Sequence, residues 1–166
     1  MNKTPRLQEI WNIVQQLQMD VAKLKLSIQT VETVPLQTFD EWCKEIVITT
    51  KDLEYLFSYK YMNGVKNILK QNLAKNSPVK SKNKKKIIKY TNTWEDITKK
   101  DLSFLRTTIQ IKIANVFQQW VKENQTIVNS TRSDIYYKNM IEAFGGNIKP
   151  ENIIKKMYTS LHKLLI

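Results

Sequence analysis

Apolar residues from Leu7 to Val31 recur at alternating spacings of three and four: Leu7, Ile10, Val14, Leu17, Val21, Leu24, Ile28 and Val31. This is the seam of a coiled coil. With Leu7 at a, the a positions are Leu7, Val14, Val21 and Ile28 and the d positions are Ile10, Leu17, Leu24 and Val31. β-Branched residues at a with leucine at d favour a parallel two-stranded coil. Trp11 at e and Ile13 at g widen the stripe, which favours higher oligomers or packing on the chain's own helices. The pattern predicts a helix from about Pro5 to Thr30 and self-association as a homo-oligomer, dimer to tetramer.

Val34-Pro35 interrupts the heptads. Thr38 followed by Glu41 has the spacing of a capping box, opening a short helix with Phe39, Trp42, Cys43 and Ile46 on one face. Thr49-Thr50 breaks it, and a third helix is expected to bury Leu53, Leu56, Phe57, Tyr61, Val65, Ile68, Leu69 and Leu73. Gly64 falls on that stripe and predicts a close helix crossing or a kink. After a lysine-rich stretch the helical period resumes. Thr93 and Thr98 each precede an acid by three residues, and a long helix follows with Leu105, Ile109, Ile113, Val116, Phe117, Trp120 and Val121 inward. Residues 124–133 read as a loop. Ser133 opens a helix with Tyr136, Met140, Ile141 and Phe144, Gly145-Gly146 stops it, and Pro150 opens a last helix with Ile154, Met157, Tyr158, Leu161 and Leu165 inward. No run reads as a strand.

The expected class is therefore all-α: an N-terminal coiled-coil helix (1–34), a short helical segment (35–74), a basic flexible linker (75–92) and a C-terminal helical domain (93–166) that completes a small bundle. Three glycines and four prolines are too few turn residues for a β-sandwich or a nucleotide-binding α/β unit.

Charge adds a second feature. The chain carries a formal net charge of +12, and residues 75–90 hold seven lysines and no acid. Such a concentration is the footprint of a polyanion partner. Lys80, Lys82, Lys84, Lys85, Lys86 and Lys89 are the candidate phosphate contacts; the same cluster fits a nuclear-import signal or a solvated linker. Lysine lacks the guanidinium fork that reads guanine, and there are only three arginines, so contact with phosphate and weak base readout are expected. Tyr90 and Trp94 flank the cluster and are placed to stack on bases or to anchor a packed helix. The segment from Tyr136 to Lys163 has the outline of a helix-turn-helix, with Lys155 and Lys156 on its second helix, or of an ordinary helical hairpin.

Chemistry for catalysis is not legible. One histidine (His162) and one cysteine (Cys43) supply neither a zinc-ligand cluster nor a nucleophile pair, and no phosphate-loop glycine pattern occurs. No catalytic residue, metal or cofactor is expected. Without a basic-then-apolar leader or a long apolar run, an intracellular location (cytoplasm or nucleus) without membrane contact is expected. The leading expectation is a non-enzymatic, oligomeric nucleic-acid-binding protein. The alternative is a helical protein–protein adaptor whose lysines serve solubility or import and whose partner surface includes Trp42, Phe57, Trp94 and Trp120.

Overall fold

A computed structural model describes residues 7–30, 34–74, 76–130 and 133–166, with the backbone alone for 26–30. The described residues are mostly helical, with one small antiparallel sheet. The chain divides into two compact units, 1–34 and 35–166.

The first unit holds helix α1 (Leu7–Thr30). Its seam residues Leu7, Ile10, Val14, Leu17, Val21 and Leu24 are exposed, as are Trp11 and Ile13. Ile28 lies where only the backbone is described, and Val31 lies outside the described residues.

The second unit runs α2 (Phe39–Glu45), α3 (Thr50–Tyr59), α4 (Tyr61–Asn72), β1 (Val79–Lys82), β2 (Lys86–Tyr90), β3 (Trp94–Asp96), α5 (Lys99–Glu123), α6 (Gln125–Val128), α7 (Ser133–Ala143) and α8 (Pro150–Leu165). Among the described residues three capping boxes start its helices: Thr38 with Glu41, Thr49 with Asp52 and Thr98 with Asp101. In each the threonine hydroxyl accepts the third backbone N–H, and the acid accepts the threonine N–H in return. The expected third helix is two. α3 ends at Tyr59, and Lys60, with a φ of 77°, turns the chain straight into α4. Gly64 allows the two helices to touch: a Cβ there would lie 2.6 Å from Leu56 Cβ.

One core unites residues on both sides of the lysine cluster. Phe39, Leu53, Leu56, Tyr61, Ile68 and Leu69 pack with Leu105, Ile109, Ile113, Met157 and Leu161. Polar contacts cross the same boundary. Glu142 of α7 accepts from Lys60 Nζ at 3.0 Å and from Tyr61 N at 3.2 Å, so it satisfies the first N–H of α4. Tyr61 donates its hydroxyl to Gln110 Oε1 at 2.9 Å, and Gln110 Nε2 donates to Ala143 O at 2.9 Å. Burial pushes the Tyr61 phenol up to about 12. Residues 35–74 and 93–166 are thus not separate bodies.

The expected linker 75–92 is the main correction. Residues 79–90 form an antiparallel hairpin, extended by β3 in the order β1-β2-β3. Its turn places Asn83 and Lys84 at φ 53° and 55°, and Lys85 N donates to Lys82 O. Val79, Ile87, Ile88 and Tyr90 supply the β-branched and aromatic residues a strand favours. Lysine stems lie along a sheet while their ammonium groups reach water, so like charge does not prevent pairing here.

The last helices also differ in detail. α7 buries Asn139, Glu142 and Ala143 and packs Tyr136 and Met140 against the core, while Ile141 and, just beyond the helix, Phe144 are exposed; Glu142 points inward to cap α4. α6 occupies part of the expected 124–133 loop. α8 buries Ile153 together with Met157 and Leu161, with Ile154 and Tyr158 half-buried.

Candidate nucleic-acid interface

The sheet sorts the lysine cluster by pleat. The pairings Val79 with Lys89, Ser81 with Ile87 and Lys89 with Glu95 put these residues on one face. This face lies against the core through Val79 and Ile87. The pairings of Lys80 with Ile88, Lys82 with Lys86, Ile88 with Asp96 and Tyr90 with Trp94 define the opposite, outer face.

Lys89 is thereby removed from the candidate phosphate contacts. It is buried, with Nζ 2.9 Å from Glu95 Oε1 and 3.1 Å from Asp101 Oδ1, and 5.8 Å from the centre of the Phe39 ring. Burial opposes its charge, but the bonds to Glu95 and Asp101 more than offset this, and its pKa is raised. Lys89 and Thr91 hold Glu95 below its usual range. Asp101, against burial, is lowered by its bonds to Thr98 and Lys89. Lys89 therefore fastens the sheet to the start of α5.

The outer face keeps a basic and aromatic character. Lys80 Nζ lies 3.8 Å from the centre of the Trp94 ring. β2 separates the strands that carry these two residues, so the Lys80 stem passes over β2, where Ile88 is buried. The Tyr90 and Trp94 rings are 5.5 Å apart and tilted by 58°. Lys86 pairs with Asp96 at 3.2 Å in an exposed, weak bridge. Lys82, Lys84 and Lys85 are exposed around the turn and make no ion pair among the described residues. The hairpin thus presents a row of ammonium groups at its tip and a pair of aromatic rings at its base. Ammonium groups bind phosphate as point charges, and ring faces stack on bases of any identity.

Lys155 and Lys156 are exposed on α8. The helix packs on α4, α5 and β1, and its opposite face, with Lys155 and Lys156, is exposed. Gly145 and Gly146, at φ 108° and 60°, turn the chain between α7 and α8. His162 stacks on Tyr158 with ring centres 6.1 Å apart. Cys43 is fully buried, and burial pushes its thiol up to about 12, far from a reactive thiolate. Among the described residues no group of three or more His, Cys, Asp or Glu is close enough to hold a metal ion, and no helix is long and apolar enough to cross a membrane. Of the aromatic residues expected on a partner surface, Trp42 and Trp120 are buried and Phe57 packs against the core, which leaves Trp94 on the sheet. Comparison with protein-family models, curated proteins and solved structures finds no match to this chain.

Proposed function

We propose that this chain is a non-enzymatic, oligomeric nucleic-acid-binding protein that grips phosphate with the lysines of its β-hairpin. The observation that carries the reading is the outer sheet surface. Lys80, Lys82 and Lys86, with Lys84 and Lys85 at the turn, share one ordered ribbon with Tyr90 and Trp94. A ribbon held in place binds a phosphate backbone at a smaller ordering cost than a flexible linker would. The exposed seam of α1 supports the oligomeric part of the reading: six apolar heptad residues face solvent in a single chain. Joining several chains multiplies individually weak phosphate contacts. The test is a fluorescence-anisotropy titration of the intact chain against a variant with Lys80, Lys82, Lys84, Lys85 and Lys86 changed to Gln. Wild-type binding that weakens steeply with salt, and loss of that binding in the variant, support the reading. Equal affinity in the two proteins contradicts it.

A second reading, a protein–protein adaptor, has its own observation. Tyr137 and Ile141 of α7 and Phe144 just beyond it are exposed apolar residues at spacings of four and three. In that reading, changing Ile141 and Phe144 to Ser abolishes function while nucleic-acid affinity is absent from the start.

A further inference from the structure

The helix that precedes the hairpin carries a second surface that the lysine cluster does not include. α4 buries Tyr61, Gly64, Val65, Ile68 and Leu69. Its outward positions Asn63, Lys66, Asn67 and Lys70 follow at i, i+3, i+4 and i+7, one stripe of a helix face. Asn63, Lys66 and Lys70 are exposed and Asn67 is half-buried. The helix contains no acid. With Tyr55 of α3 these four residues line a concavity of about 240 Å³. We propose that this face of α4 is a second nucleic-acid contact, and that its ligand is double-stranded DNA met in the major groove. The inference rests on the nucleic-acid reading above.

Three features point to a duplex. A major groove about 12 Å wide admits one α-helix side-on, with its polar stripe toward the base edges. The carboxamides have the chemistry for it. Asn63 Nδ2 donates to Tyr59 O at 2.8 Å, and Asn67 Nδ2 donates to Asp52 Oδ1 at 3.4 Å. Each amide group carries two N–H donors, so among the described residues each asparagine keeps one N–H and its Oδ1 for a ligand. That donor–acceptor pair is what N7 and N6 of adenine require. The bond to Tyr59 orients Asn63 before binding, and the longer one to Asp52 orients Asn67 more weakly. Finally, Lys66 and Lys70 lie one turn apart, four residues, and make no ion pair among the described residues, so both charges remain for the phosphates that border the groove. The short turn at Lys60 and the Gly64–Leu56 contact hold α3 firmly against α4, so the face is carried on a rigid element.

The experiment compares the intact chain with a Lys66→Gln/Lys70→Gln variant, with an Asn63→Ala/Asn67→Ala variant and with the hairpin variant in which Lys80, Lys82, Lys84, Lys85 and Lys86 are Gln. Circular dichroism confirms folding of each. The ligands are a 20-base-pair duplex, the matching single-stranded DNA and a single-stranded RNA. The lysine variant is expected to lose at least tenfold in duplex affinity and about two units of log–log salt slope (roughly 0.9 per phosphate), with single-strand affinity unchanged within twofold. The asparagine variant is expected to lose the preference for A·T-rich over G·C-rich duplexes. Equal loss on all three ligands, or no loss on the duplex, overturns the inference. If only the hairpin variant loses binding, the nucleic-acid reading stands and the α4 inference falls. If the intact chain binds none of the three, both fall.

Discussion

At the residue scale, single side chains hold the second unit together, and their placement yields two expectations. Gly64 is needed where α3 crosses α4, because a Cβ would press on Leu56 Cβ and come within 2.9 Å of Leu56 Cα. Gly64→Ala gains about 1 kcal/mol of helix propensity but meets overpacking worth about 1–3 kcal/mol. The variant is expected to be less stable in a urea titration; an increase in stability contradicts the close crossing. Lys89 is the other. Its pair with Asp101 is largely buried and its pair with Glu95 is half-exposed, so Lys89→Met is expected to cost about 2 kcal/mol at pH 7, between the surface and buried cases. Its pH dependence has a definite sign. Glu95 and Asp101 are lowered, so their contribution is present above their unfolded values near pH 4 and is lost as pH falls through the folded ones. Lys89 is raised, so its contribution is present below about pH 10.4 and is lost as pH rises through its folded value. Thermal melts of wild type and variant are expected to converge toward pH 3; a gap that stays constant from pH 7 to pH 3 contradicts the ion-pair account. Capping was the most legible residue-scale feature. Thr38–Glu41 and Thr98–Asp101 are both evident from spacing alone, whereas Thr93 with Asp96 has the same spacing but leads into β3 and caps no helix. Thr49–Asp52 has the same spacing but reads as a helix break, because two consecutive threonines suggest an interruption.

At the scale of elements, helices with a strong 3.6-residue period were legible and the sheet was not. α5 buries Leu105, Ile109, Ile113, Phe117 and Trp120, the stripe its spacing predicts. The hairpin escapes notice because a strand is usually recognised by alternation bounded by glycine or proline turns. Here lysine occupies both faces, the turn uses Asn83 and Lys84 in place of glycine, and Lys89 is buried by partners distant in the chain or on the next strand. α7 is a mixed case: Tyr136 and Met140 of its expected stripe pack against the core, Ile141 and Phe144 are exposed, and the polar Asn139 and Glu142 are buried in their place. An ordered hairpin makes a prediction that a linker does not. β2 is paired on both sides, so the amide protons of its paired positions are expected to exchange slowly, at rates close to those of α5. Exchange of residues 86–90 within seconds contradicts the sheet. For α1, Val14→Asp with Val21→Asp is expected to give a monomer whose second unit keeps its melting transition. A wild type that already sediments as a monomer contradicts the coil.

At the scale of the whole molecule, charge and fold work together. The core joins residues on both sides of the lysine cluster, and the sheet formed between them displays that cluster. The net charge was legible in the sequence, but its division into roles was not. Lys89 serves the fold, Lys86 pairs with Asp96, and Lys80 lies on Trp94. The most direct test is amide and side-chain NMR shift mapping of the intact chain during titration with a short oligonucleotide. The largest changes are expected on Lys80, Lys82, Lys84, Lys85, Lys86 and on the Tyr90 and Trp94 rings, with little movement of the core-facing Lys89. Absence of shifts at millimolar ligand and low salt, or shifts confined to residues outside the sheet, would contradict a nucleic-acid grip by the hairpin.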